Sequence, residues 1–145
     1  MQQNLHAPDL DVGVSDLGPL AWVLMELRKS LETATKALRR FVRDAEEARG
    51  SDLASVDTSQ LRIARLQVHQ ALGALEMVGQ PPAVTMLKVM EAAVQKALQR
   101  PELFQEKALS AMERASFALV EYLEGVLHGK DVSAVALFPQ YRAVC

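Results

Sequence analysis

The sequence predicts an all-α fold, an up-and-down antiparallel four-helix bundle. Four stretches carry apolar residues in alternating steps of three and four, the spacing of one helix face. No stretch alternates apolar and polar residues for long enough to make a strand. Proline and glycine punctuate short connections between the stretches, and short connections make successive helices antiparallel neighbours.

Residues 1–16 are polar and irregular, with Gln2, Gln3, Asn4, Pro8, Asp9 and Gly13, and are expected to form a flexible arm. Pro19 opens the first helix, since proline fits the first turn. Its stripe is Leu20, Leu24, Leu27, Leu31, Ala34, Leu38, Phe41 and Ala45, ended by Gly50 and Ser51. Trp22, near its start, reads as a packing anchor. The second helix opens near Asp57, with Gln60 at the capping-box position, and its stripe is Leu61, Ala64, Val68, Ala71, Leu75 and Val78. Gly79 stops it and Pro81-Pro82 forbids its continuation. A third helix is expected from about Pro82 to Arg100, with Val84, Leu87, Met90, Val94 and Ala97 inward, and Pro101 turns the chain. The fourth runs from about Glu102 to His128 on Leu109, Met112, Ser116, Leu119, Leu123 and Val126, and Gly129 stops it. Residues 17–129 thus form the helical unit. Residues 130–145 lose amphipathicity, and Phe138-Pro139-Gln140-Tyr141 reads as a linker or docking tail toward a larger protein.

A chain of 145 residues suits one domain with a single core. Half of it is hydrophobic but only 5% is aromatic, a mixture that favours helices. The net charge of −2, with both signs interspersed, argues against a nucleic-acid partner. No apolar run approaches the roughly 20 residues of a membrane-spanning helix, so membrane insertion is not expected. The only cysteine is the last residue, Cys145, which excludes an intrachain disulfide and suits a reducing, cytoplasmic setting. No pair of His, Cys, Asp or Glu has metal-site spacing, and Glu-x-x-His is absent. No phosphate-cradling glycine loop is present either, so no metal or cofactor is expected.

Three histidines remain. His6 lies in the polar arm, and His128 stands in the last turn of the fourth helix, where a histidine can meet free carbonyls. His69 differs from both. At about 100° per residue it falls roughly 130° from the centre of the second helix's stripe, near Ala64 and Leu75, on the solvent side. Arg62, Arg65, Leu66, Gly73 and Glu76 share its face. A lone histidine on a helix is ordinarily a solvated surface residue. Gly73 shifts that balance, because glycine inside a helix costs about 0.5–1 kcal/mol relative to alanine and here clears space one turn from the ring. An accessible neutral imidazole offers a nitrogen lone pair as nucleophile. Phosphoryl relay uses such a ring with no triad or metal of its own, since a partner protein can bring magnesium and the acceptor carboxylate.

His69, Gly73 and Gly79 match the histidine, the glycine four residues on and the glycine about ten on of the histidine phosphotransfer (Hpt) domain, which the chain resembles. Over about residues 17–142 the sequence looks most like the N-terminal Hpt-like region of chemotaxis-type sensor histidine kinases associated with type IV pili and twitching motility. The resemblance implies a helical bundle with the histidine exposed on its second long helix. It implies His69 as phosphoacceptor in a two-component phosphorelay, a receiver domain or a kinase catalytic domain as partner, and a longer parent protein. It also implies an acidic side chain on the following helix against the imidazole, for which Glu91 is the only acidic residue available. The sequence departs from the family at Leu72, where a lysine commonly helps to hold the phosphate. Arg65, one turn before His69, is the candidate substitute charge. Leu66, Leu72 and Met77 put apolar atoms around the histidine face, read either as extra burial or as a docking patch. Two functions are therefore expected to compete: a phosphotransfer module, and a degenerate Hpt-like domain that only docks partners of a sensor kinase.

Overall fold

The computed structural model describes residues 3–49, 57–129 and 134–145, with side chains described from Leu17 onward. Among them the chain is all-α: helices α1 (Gln3–Glu47), α2 (Ser59–Val78), α3 (Pro81–Gln99), α4 (Glu106–Leu127) and α5 (Phe138–Val144). Two short 3-10 segments, Pro101–Leu103 and Ala134–Leu137, precede α4 and α5.

α1 packs against α2 and α4, α2 against α3, and α3 against α4. Because α1 serves two neighbours, its buried face is wider than a single stripe: Val23, Ala37 and Val42 join Leu20, Leu24, Leu27, Leu31, Ala34, Leu38 and Phe41 in the core. Leu61, Ala64, Val68, Ala71 and Leu75 come from α2, Leu87, Met90, Val94 and Ala97 from α3, and Leu109, Met112, Leu119 and Leu123 from α4. Burying each of these leucines fully is worth about 1.5–3 kcal/mol over leaving it exposed. Phe104, in the α3–α4 connection, closes one end by setting its ring 6.5 Å from that of Phe41. On the surface, Arg28–Glu124 and Arg39–Glu113 ion pairs tie α1 to α4.

Helix boundaries follow local chemistry. Gly79 takes φ 66°, a left-handed conformation, and its N–H reaches the Leu75 carbonyl at 3.2 Å to cap α2. Pro81 then starts α3, where its missing N–H costs nothing. The His128 ring donates from Nδ1 to the Glu124 carbonyl at 2.8 Å, closing the last turn of α4, and Gly129 follows with φ 70°. At the start of α2 the capping box does not form. Thr58 is the N-cap and makes no side-chain cap bond, while the Asp57 carboxylate accepts the Ser59 backbone N–H at 2.9 Å. That bond, with one from the Ser59 hydroxyl, holds the Asp57 carboxyl below its ordinary range.

Several expectations need correction. α1 begins at Gln3, so the backbone of residues 3–16 is helical where an irregular arm is expected. Once a packed helix is nucleated downstream, each added residue gains a hydrogen bond with no further nucleation cost. The stop at Gly50–Ser51 lies outside the described residues. Trp22 is 61% exposed and lies outside the core formed by the described residues. It stands two residues from Leu20, about 200° around the helix and off the stripe. α4 starts at Glu106, four residues later than expected, because the 3-10 turn at Pro101–Leu103 takes the intervening backbone. Residues 134–145 are not a bare linker: they fold into a 3-10 turn and α5 against α3 and α4, with Leu137 buried in the core and Tyr141 and Val144 packed on it.

Candidate functional site

His69 sits midway along α2, and its side chain is 63% exposed. Its helix buries Val68 on one side of it and Ala71 and Leu72 on the other, which fixes the ring outward. The neighbour that matters comes from α3. Glu91 is mostly buried at the α2–α3 junction, with 14% of its side chain exposed, and its Oε2 lies 2.8 Å from His69 Nδ1. Glu91 stands one residue after Met90, whose full burial sets the rotation of α3 and turns the carboxylate toward α2.

The contact fixes the ring chemically as well as sterically. A neutral imidazole that donates its Nδ1 proton to a carboxylate keeps its lone pair on Nε2. Nε2 is the ring nitrogen that Glu91 does not engage, on a side chain that is mostly exposed. The same Glu91 Oε2 lies 4.0 Å from Arg65 Nη1, so one carboxylate oxygen faces both the imidazole and the guanidinium. At 4.0 Å the arginine contributes an ion pair without a hydrogen bond.

Gly73, one turn beyond His69, is exposed and helical, and nothing stands within 4 Å of the position its Cβ would take. The surface at Gly73 is therefore open, and among the described residues no packing demands glycine there. Gly79 acts as the helix cap described above, nearly three turns from the ring.

The apolar residues expected around the histidine divide. Leu66 is 49% exposed and Met77 is 85% exposed, and both present their side chains to solvent. Leu72 is only 7% exposed and belongs to the core, so it offers no docking surface. Its burial also means that the position three residues after the histidine faces inward. Arg62 is turned toward the start of α2, where it donates to the Thr58 hydroxyl at 2.8 Å and the Ser59 hydroxyl at 3.4 Å.

Lys88 went unnoticed in the sequence. It stands three residues before Glu91 on α3, is exposed, and among the described residues enters no ion pair within 4.0 Å. Its spacing from Glu91, one helical turn, was the available signal.

The site lies on an open surface rather than in a cavity. A groove of about 390 Å³ between α3, α4 and α5, lined by Ala93, Ala97, Phe104, Met112 and Val144, contains none of its residues. A second, of about 660 Å³ between Pro81, Met86, Leu137 and Phe138, contains none either. Among the described residues no group of three or more His, Cys, Asp or Glu could hold a metal ion. No helix among them is long and apolar enough to cross a membrane. No family model, curated protein or solved structure matches the chain.

Proposed function

We propose that the chain is a histidine phosphotransfer module of a chemotaxis-type phosphorelay, with His69 as phosphoacceptor. In this reading it is a cytoplasmic, up-and-down four-helix bundle of the kind linked to type IV pili and twitching motility. The neighbour pattern of α1 with α2 and α4, and of α3 with both α2 and α4, supports that arrangement. The observation that carries the functional reading is the His69–Glu91 contact at 2.8 Å. An exposed imidazole held through Nδ1 by a mostly buried carboxylate has one nitrogen committed and the other presented outward, as an acceptor requires.

The step is a simple displacement. The Nε2 lone pair attacks phosphorus, and the P–O bond to the donor breaks with its electron pair leaving on the donor oxygen. The ring retains its Nδ1 proton and becomes cationic, and the Glu91 carboxylate opposes that charge. Onward transfer reverses the sequence and returns a neutral ring. The open surface beside Gly73 lets a receiver or kinase domain bring its own catalytic groups to the ring. Arg65 places positive charge beside the same cluster.

Incubation of the chain with [γ-32P]ATP and histidine kinase catalytic domains from its own genome tests the reading. Acid-labile label on the wild type and none on His69→Gln is expected; equal label on both would remove His69 as acceptor.

A second reading is favoured by one observation, the buried Leu72 where a lysine is usual. It makes the chain a docking module without phosphotransfer, using the exposed Leu66 and Met77. It requires that His69→Gln preserves partner binding while Leu66→Glu or Met77→Glu abolishes it; binding unchanged in the charged variants would exclude it.

A further inference from the structure

A phosphoryl group on His69 needs a counter-ion, and the question of which residue supplies it rests on the phosphotransfer reading above. The position three residues beyond the histidine is closed, because Leu72 is in the core. Arg62 is committed to the hydroxyls of Thr58 and Ser59 at the other end of its reach. Arg65 is placed differently. It lies one turn before His69, and helical side chains lean toward the N-terminus, so the imidazole leans over the turn that carries it. Its side chain is 40% exposed, and its one ion-pair partner among the described residues is Glu91 Oε2 at 4.0 Å, too long for a hydrogen bond. The five N–H donors of the guanidinium are thus left free of Glu91.

We propose that Arg65 is an exchangeable counter-ion: it balances Glu91 in the resting state and turns to the phosphoryl oxygens once Nε2 carries the group. Charge accounts for the exchange. With the ring neutral, Glu91 and Arg65 sum to zero, and among the described residues Arg65 is the arginine or lysine within 4.0 Å of the carboxylate. When the Nε2–P bond forms and the donor's P–O bond breaks, the ring keeps its Nδ1 proton and becomes cationic. Glu91 then has a cation in hydrogen-bond contact, and the longer pair with Arg65 is no longer needed to balance it. The phosphoryl group brings two negative charges to the opposite ring nitrogen. A planar guanidinium can meet two of its oxygens with parallel charge-assisted hydrogen bonds, which are stronger than an ion pair lacking one. The exchange also serves onward transfer. Glu91, released from Arg65, favours the cationic ring, the form from which phosphorus departs to leave a neutral imidazole.

Phosphoramidate, a small phosphodonor that needs no partner protein, tests this on the full chain. The readouts are the fraction of His69 phosphorylated, the half-life of the phosphohistidine, and the Arg65 Nε–H resonance. Arg65→Gln should shorten the half-life about tenfold, the effect of losing one charge-assisted hydrogen bond. Arg65→Lys should recover part of it, and Arg62→Gln and Lys88→Gln should match the wild type. The Arg65 Nε–H resonance should move on phosphorylation of the wild type. Circular dichroism checks that each surface variant keeps its helices. Label on the wild type with an equal half-life in Arg65→Gln overturns this proposal alone, as does a loss confined to Lys88→Gln. Absence of label on wild-type His69 overturns the phosphotransfer reading and the proposal with it.

Discussion

Glu91 Oε2 lies 2.8 Å from His69 Nδ1, joining the middle of α3 to the middle of α2 through a mostly buried carboxylate and an exposed ring. The contact is made by the only acidic side chain on α3, so its removal leaves no substitute on that helix. Glu91→Ala should therefore lower the rate of His69 phosphorylation by roughly 10–100-fold, by analogy with the loss of a carboxylate that orients a metal-bound histidine. Glu91→Gln, which keeps an acceptor oxygen but not the charge, should fall between. Initial rates with phosphoramidate check this, and equal rates in all three chains would remove Glu91 from the site.

Gly73 separates stability from function. It is exposed, has helical dihedrals and touches nothing where a methyl group would stand. Gly73→Ala should therefore stabilise the fold by about 0.5–1 kcal/mol in denaturant melts. The same methyl should slow transfer from a protein partner while leaving labelling by phosphoramidate unchanged. Slowing with neither donor would show that the glycine gives no clearance.

Leu72 and Met77 look alike in sequence and should respond oppositely. Leu72→Ala removes a core side chain and should cost about 2 kcal/mol or more, whereas Met77→Ala on the surface should change stability by about 0.5 kcal/mol or less. Leu72→Lys should also destabilise, because the inward position cannot present an ammonium group to solvent without rebuilding the turn. Chemical denaturation of the three variants measures the contrast.

Gly79 holds φ 66° at the end of α2, so an alanine there enters a region that costs an L-residue about 1–2 kcal/mol. Gly79→Ala should destabilise by that amount. The opposite signs for Gly73→Ala and Gly79→Ala, read in one melting experiment, test whether the two glycines serve different purposes.

Asp57 predicts a pH dependence. Its carboxyl is held below the ordinary range by the Ser59 hydroxyl and then by the Ser59 backbone N–H. A lowered folded-state value means stabilisation that is complete above the unfolded carboxyl's range and lost as pH falls through the folded value. Asp57→Asn should thus melt below the wild type at neutral pH and converge with it in acid, below about pH 3.9. A difference that persists unchanged into acid would contradict the assignment.

The core was legible because helix stripes report burial directly. Leu61, Ala64, Val68, Ala71 and Leu75 form the expected face of α2, and the outward placement of His69 follows from the same wheel. Glu91 was findable because α3 holds one acid, though spacing alone does not say which helix meets His69, and the pairing came from a family resemblance. The rest depends on contacts between elements. Phe104 stands in the α3–α4 connection, off every stripe, yet it closes the core against Phe41. Arg65 and Arg62 share one helix face, and the contacts divide them: Arg62 meets the Thr58 and Ser59 hydroxyls, and Arg65 pairs with Glu91. The tail fails for a similar reason: Leu137, Tyr141 and Val144 are too few to show a period, but each finds the bundle's surface once α3 and α4 are in place.

As a phosphoacceptor, His69 would take the phosphoryl group on the nitrogen that Glu91 leaves free. Phosphorus-31 and nitrogen-15 NMR of ring-labelled chain after treatment with phosphoramidate reads it directly. One phosphohistidine signal is expected that couples to His69 Nε2, persists with the Nδ1 proton retained, and is absent from His69→Gln. A signal on Nδ1, or the same signal in His69→Gln, would contradict it.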